Sequence, residues 1–229
     1  MIDVYNAAEK LGLKPEEMTV GILYNNPCAI KKYDDWQGEV SPKDMPDWMR
    51  KSAARRSDLL KFAQPEYGMR AAIHLLLMYQ QKHSLNTVRK MINRWAPYGG
   101  ESADNTKDQT SAYVSHVANR MRVDADETVA VKDYHVAKAM LMAMIEFENG
   151  WLMPYSDQQI DTALMMSGLR MPQEMQIQPK PKMQSKERRG SVAIGVGGAG
   201  AAATTVGATV GMTNQDLVAK ASDTVVTVA

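Results

Sequence analysis

Between Pro65 and His83 apolar residues recur in steps of three and four, at Ala71, Ala72, Leu75, Leu76 and Tyr79, with Ile73 and Leu77 widening the arc. Such steps place side chains on one face of a 3.6-residue turn. An arc this wide can be buried on more than one side, so the spacing predicts a central helix. Pro65 suits its first position, where a missing N–H would have no intrahelical partner. Lys82-His83-Ser84 breaks the pattern, and Ser84 or Asn86 can cap a second helix that runs through Asn93 or Trp95. Pro97 and Gly99-Gly100 stop it. The other segments must pack around this hairpin.

Four further helices are legible. Asp3 can cap a short helix to Leu11, ended by Gly12, with Val4, Ala7, Ala8 and Leu11 as its stripe. Asp108 can cap a helix from Thr110 to Met121 that carries Tyr113, Val114, Val117, Ala118 and Met121 at helical spacing. A longer helix is expected from Lys132 to Asn149, with Val136, Ala139, Met140, Ala143 and Phe147 inward and Gly150 as its stop. Ser156 with Gln159 has the pattern of a capping box and opens a helix to Ser167. No run alternates as a strand would, so residues 1–168 form a mainly α domain. Within it, residues 20–48 are irregular and dense in Asn, Pro, Gly and Asp, and residues 49–61 read as a basic, solvated helix or loop. Loops hold functional residues more often than helices do. The pattern favours a packed turn region for 20–48, with Asn side chains bonded to the local backbone.

Composition limits the function classes. A net charge of +1 provides no basic field, so no specific nucleic-acid binding is expected. The single Cys28 excludes an intrachain disulfide framework. Eighteen Met beside two Phe imply a core that packs adaptably. Asp3, Glu9, Glu16 and Glu17 in an amphipathic first stretch are unlike a secretory signal. From about residue 169 to 191 the chain turns rich in Gln, Pro, Lys and Arg, as an extended linker would. Residues 192–229 form a small-residue apolar tail, in which 192–212 carry no charge. That length can cross a bilayer, but Gly and Ala contribute little to insertion. The same small residues suit close packing between helices, so membrane contact and subunit contact both stand.

Neither a phosphate loop, a metal-spaced Cys/His set nor a nucleophile elbow is present, and no metal or cofactor is expected. Asp34, Asp35, Glu39, Glu66, Glu146 and Glu148 are all available as acids, and spacing alone brings no two of them together. Glycosidic cleavage needs a carboxyl whose pKa is raised by an apolar pocket. Glu66, at a helix start, is held ionised by the dipole, which leaves Glu39, beside Trp36 and Gly38, as the candidate acid. Trp36, Tyr67, Trp95 and Tyr113 can stack on sugar faces, and buried core aromatics explain them equally well.

The order GILYNNPCAI (21–30), DWQGE (35–39), FAQPEYGMRA (62–71), LLLMYQ (75–80), NTVRKMINRWAP (86–97) and YVSHVA (113–118) resembles a domain recurrent in tailed-bacteriophage proteins. Its pattern reads roughly GIRNNNPGNI, then W-x-G, F-x-x-P-E-x-G-x-R-A and W-A-P. Members are commonly phage structural or virion proteins, and the middle of the pattern also resembles phage peptidoglycan hydrolases with a lysozyme-like helical fold. The resemblance implies a virion location and virion subunits as partners in a homo-oligomer. It also implies contact with peptidoglycan and the host membrane. Asn25 and Asn26 would then join the glycan-binding candidates, and catalysis would be glycan-strand cleavage, hydrolytic or by lytic transglycosylation. Leu23-Tyr24 stand where the pattern has Arg-Asn, and Cys28-Ala29 where it has Gly-Asn. The insertion at 40–60 also separates DWQGE from the central helix. These departures suit a purely structural virion component as well as an enzyme. A lysis protein acting at the inner membrane is a further alternative.

Overall fold

The computed structural model describes residues 10–14, 17–52, 55–99 and 105–173. Most of the helix expected over 3–11, most of the linker and the whole tail lie outside them. The described chain is mainly α-helical and contains no strand, only isolated bridges such as Lys31 with Leu59 and Glu39 with Phe62. Among the described residues no helix is long and apolar enough to cross a membrane.

Helix α1 (Val20–Leu23) and α2 (Asp47–Ser52) belong to an N-terminal loop layer. The helical body follows as α3 (Pro65–His83), α4 (Val88–Trp95), α5 (Lys107–Met121), α6 (Tyr134–Glu148) and α7 (Asp157–Met166). As the spacing predicts, α3 is central: Met69, Ala71, Ala72, Ile73 and Leu76 have no exposed area. It packs on α7 and α6, while α5 packs on α4 and α6. Pro65 occupies the first turn, and Ser84 closes the helix in the left-handed region at φ 54.

Two caps differ from the expected ones. Thr87, rather than Ser84 or Asn86, caps α4 by accepting from the Lys90 amide. Thr106, rather than Asp108, caps α5 in a capping box with Gln109, and Asp108 falls in the first turn. In each case the winning residue is a Thr just before the first helical residue, whose hydroxyl reaches an amide that the helix leaves unpaired. The Ser156–Gln159 box forms as read. Along α6 the buried stripe is rotated from the expected one. Met140 and Ala143 are inward, but Ala137, Leu141, Met144 and Ile145 are buried with them, and Val136, Ala139 and Phe147 are only half-buried.

The body has one large apolar core, and the loop layer has a second, made of Met18, Ile22, Leu23, Tyr24, Met49 and Leu59. Residues 49–61 are therefore less solvated than their charge suggests, since Met49, Leu59, Leu60 and even Lys61 are buried. Lys61 places its ammonium 4.3 Å from the centre of the Tyr24 ring and donates to the Leu59 carbonyl, so the buried cation keeps favourable partners.

Candidate functional site

The seating of the loop motifs on the central helix has a steric basis at two glycines. A Cβ on Gly68 of α3 would lie 2.2 Å from the Asn25 carbonyl oxygen and 3.1 Å from Pro27 Cδ. The N-N-P turn thus sits directly on the helix backbone, where only glycine leaves room. A Cβ on Gly38 would lie within 2.2–2.6 Å of the Tyr67 ring, and its φ of +81 also favours glycine. Tyr67 is therefore spent covering the W-x-G turn, with Trp36 half-buried against the main core.

Asn25 and Asn26 hold this turn from inside. Asn25 donates to the Phe62 carbonyl at 3.0 Å. Asn26 donates to the Ile30 and Leu60 carbonyls at 2.9 and 3.0 Å and accepts from the Ile30 amide. Both are buried, so their amides are committed to backbone, as in the packed-turn reading. Glu39 lies elsewhere, half-buried at the edge of the loop layer, in an ion pair with the exposed Lys32 at 2.7 Å. Trp95 and Tyr113, by contrast, come together in the body beside a different carboxylate.

That carboxylate is Glu148, the last residue of α6. Asn149 anchors the helix end to the N-N-P turn: it is fully buried, donates to Pro27 O at 2.7 Å and Ile145 O at 2.8 Å, and accepts from the Thr19 hydroxyl at 2.6 Å. Glu148 consequently lies at the seam between loop layer and body. Burial pushes its carboxyl up to about 7, against the opposing pull of the Tyr113 hydroxyl, the Trp95 indole N–H and the Arg56 charge. A carboxylate at a helix C-terminus also meets the negative end of the dipole, which disfavours the anion. As a whole residue Glu148 keeps intermediate exposure, although its carboxyl is desolvated. A desolvated acid is the arrangement a proton donor near neutral pH requires.

The surrounding groups are unusual for a core. Cys28 is fully buried, and its thiol is pushed well up by burial and then by the Glu148 charge. Tyr113 is raised well above its ordinary value by burial first and by Glu148 second. Its hydroxyl is turned to Glu148 but closes no strict hydrogen bond, and the buried Tyr155 hydroxyl and Glu66 Oε2 are likewise without a bonded partner. Burial raises the Tyr155 hydroxyl too, with Cys28 and Glu66 adding to it. Glu66 Oε1 accepts from Gln159 at 3.2 Å, so this carboxylate ties α3 to α7 with one oxygen only. Buried polar atoms left unpaired mark a place where water or ligand is accommodated. Among the described residues no three His, Cys, Asp or Glu side chains converge as metal ligands.

Sequence reasoning ranked Glu39 above Glu148 because Glu39 stands beside a Trp and a Gly in the chain. The available signal was the helix end itself. Glu146 and Glu148 both defy the dipole rule in the last turn of α6, and Glu146 is compensated by Arg120 and lies 3.7 Å from His116. Glu148 has no such close cation.

No family model matches the chain. It is similar to Protein P5 of Pseudoalteromonas phage PM2, with 28% identity over 138 residues that cover 58% of this chain and 73% of P5. The chain is thus a mainly α-helical homologue of a bacteriophage protein, and a phage-associated protein itself.

Proposed function

We propose that this chain is a virion-associated phage protein whose helical body engages, and locally cleaves, the glycan strand of peptidoglycan during cell entry, with Glu148 as the proton donor. The observation that supports this most is the Glu148 carboxyl, raised to about 7 by burial at the seam and faced by the Tyr113 hydroxyl and the Trp95 indole N–H. Glycoside cleavage needs a carboxylic acid still protonated near neutral pH to protonate the leaving oxygen. Trp95 and Tyr113 direct an indole N–H and a phenol at that carboxyl, so after proton transfer the carboxylate is stabilised in place. The homologous phage protein supports the phage setting, and other virion components are the partners this reading implies.

The experiment is to incubate the full chain with purified sacculi and to measure the release of new sugar ends. Cleavage that disappears in Glu148→Gln supports the reading. Release at the wild-type rate from Glu148→Gln overturns the assignment of the acid. A second reading, a structural virion component without catalysis, is favoured by the commitment of Asn25 and Asn26 to backbone. It predicts the chain in purified particles and no sugar release at all.

A further inference from the structure

Immediately beyond the candidate acid the chain does something costly. Gly150 and Trp151 take φ values of 60 and 71, two consecutive left-handed residues. Glycine adopts this region freely, but a bulky residue there is a genuine outlier, retained only where the surroundings over-determine it. Trp151 is nevertheless 63% exposed, so core burial does not explain it. Its amide donates to the Glu146 carbonyl at 2.7 Å and closes the end of α6, a bond that any residue would make.

The side chain is aimed by a ladder of rings that starts beside Glu148. Tyr113 stacks on Phe147 at 4.0 Å and 13°, Phe147 lies 5.6 Å from His116, and His116 meets Trp151 edge-on at 4.6 Å and 84°. His116 is itself held by a 3.0 Å hydrogen bond to the Ala143 carbonyl. The outer ring is therefore held against His116 before any ligand arrives, while most of the residue stays open to solvent. Among the described residues the other large exposed apolar side chains, Tyr33, Tyr98 and Met165, belong to other chain segments. A single preorganised ring suits the apolar C–H face of a sugar, whose rim stays hydrated, better than a protein partner, which would need a broader apolar patch.

We propose that Trp151 is a glycan-binding platform that stacks on an N-acetylated sugar of the strand, displaced along the chain from the one Glu148 attacks. This rests on the glycan-cleaving reading. The preorganised ring loses little freedom on binding, which is the advantage that offsets the strained backbone.

The test uses the full chain, wild type and Trp151→Ala, Trp151→Gly and Glu148→Gln. N-acetylglucosamine hexamer is titrated by calorimetry, and co-sedimentation with sacculi is measured beside it. Trp151→Ala should weaken hexamer affinity roughly tenfold, the loss of about one good stacking contact. Trp151→Gly should lose the same affinity while its Tm holds or rises, because glycine meets the left-handed conformation without strain. Glu148→Gln should bind normally and release no sugar ends. Wild-type affinity in both Trp151 variants, with Glu148→Gln inactive, overturns the platform and leaves the cleavage reading standing. A wild-type chain that binds neither hexamer nor sacculi overturns both.

Discussion

The loop layer and the helical body are stabilised by different means, and each carries one of the two carboxylates that matter here. In the body, apolar faces of α3, α5, α6 and α7 pack into a single core, and side-chain identity acts mainly through volume. In the loop layer much of the backbone pairs through turns and isolated bridges, such as Lys31 with Leu59 and Glu39 with Phe62. It is held by amides, from Asn25 to Phe62, from Asn26 to Ile30 and Leu60, and from Asn149 across to Pro27. Glu39 belongs to the edge of that layer and is paired with Lys32. Glu148 stands where the layer closes on the body, and burial there changes its chemistry. A carboxylate next to a Trp in the chain is thus no guide to a carboxylate next to one in space.

The sharpest way to break the contrast is at the seam. Gly68→Ala would press a methyl to 2.2 Å from the Asn25 carbonyl, a backbone atom that cannot move aside cheaply. It should cost more than about 4 kcal/mol or abolish folding, read by chemical denaturation. A Gly68→Ala chain within 1 kcal/mol of wild type would contradict the direct seating of the turn on α3.

Asn149→Ala comes next. It strands the Thr19 hydroxyl and the Pro27 carbonyl at a buried site, so a loss of about 2–4 kcal/mol is expected. The helical body should keep its circular-dichroism spectrum below the transition, since α6 needs no amide beyond its end.

Glu148 then provides a pH signature. Its folded-state carboxyl is raised from an ordinary 4.5 to about 7, so the folded chain holds that proton more tightly than the unfolded one. Stability from this group is complete below about pH 4.5 and declines as pH rises through 7. The shift corresponds to on the order of 3 kcal/mol, reduced by the partial exposure of the side chain. Glu148→Gln should flatten the fall in Tm between pH 5 and 8 and be the more stable chain at pH 8. An unchanged slope in the variant would place the titrating group elsewhere.

A smaller gain is expected at Ala29, which sits at φ 52 where the resembling phage pattern has Asn. Ala29→Gly should stabilise by about 0.5–1 kcal/mol, measured as a rise in Tm. Smallest of all is Lys32→Ala, which removes the exposed ion pair with Glu39 and should shift stability by less than about 0.5 kcal/mol.

How far these features were legible follows from their physical origin. The central helix and the Ser156 box were readable because periodicity and capping act within a few residues. The Thr87 and Thr106 caps were missed in favour of neighbouring Ser, Asn and Asp, since several polar residues in one loop can each reach a free amide and only the chain direction decides. The rotation of the α6 stripe depends on α3 and α5 packing on it from two sides, which no local pattern encodes. Asn25 and Asn26 were visible as a cluster, and their commitment to the Leu60 and Phe62 carbonyls, more than 30 residues away, was not. Glu148 was one of six candidate acids among the 26 Asp and Glu of the chain. What singles it out is burial where the layer meets the body, with Tyr113, Trp95 and Arg56 brought to it from three separate segments.

The most direct measurement is the rate of sugar-end release from sacculi by wild type, Glu148→Gln and Glu39→Gln across pH 5 to 9. The account predicts a wild-type rate that falls above about pH 7 as Glu148 loses its proton, loss of at least about a hundredfold in Glu148→Gln, and near-wild-type release by Glu39→Gln. Activity that survives in Glu148→Gln and vanishes in Glu39→Gln would contradict it.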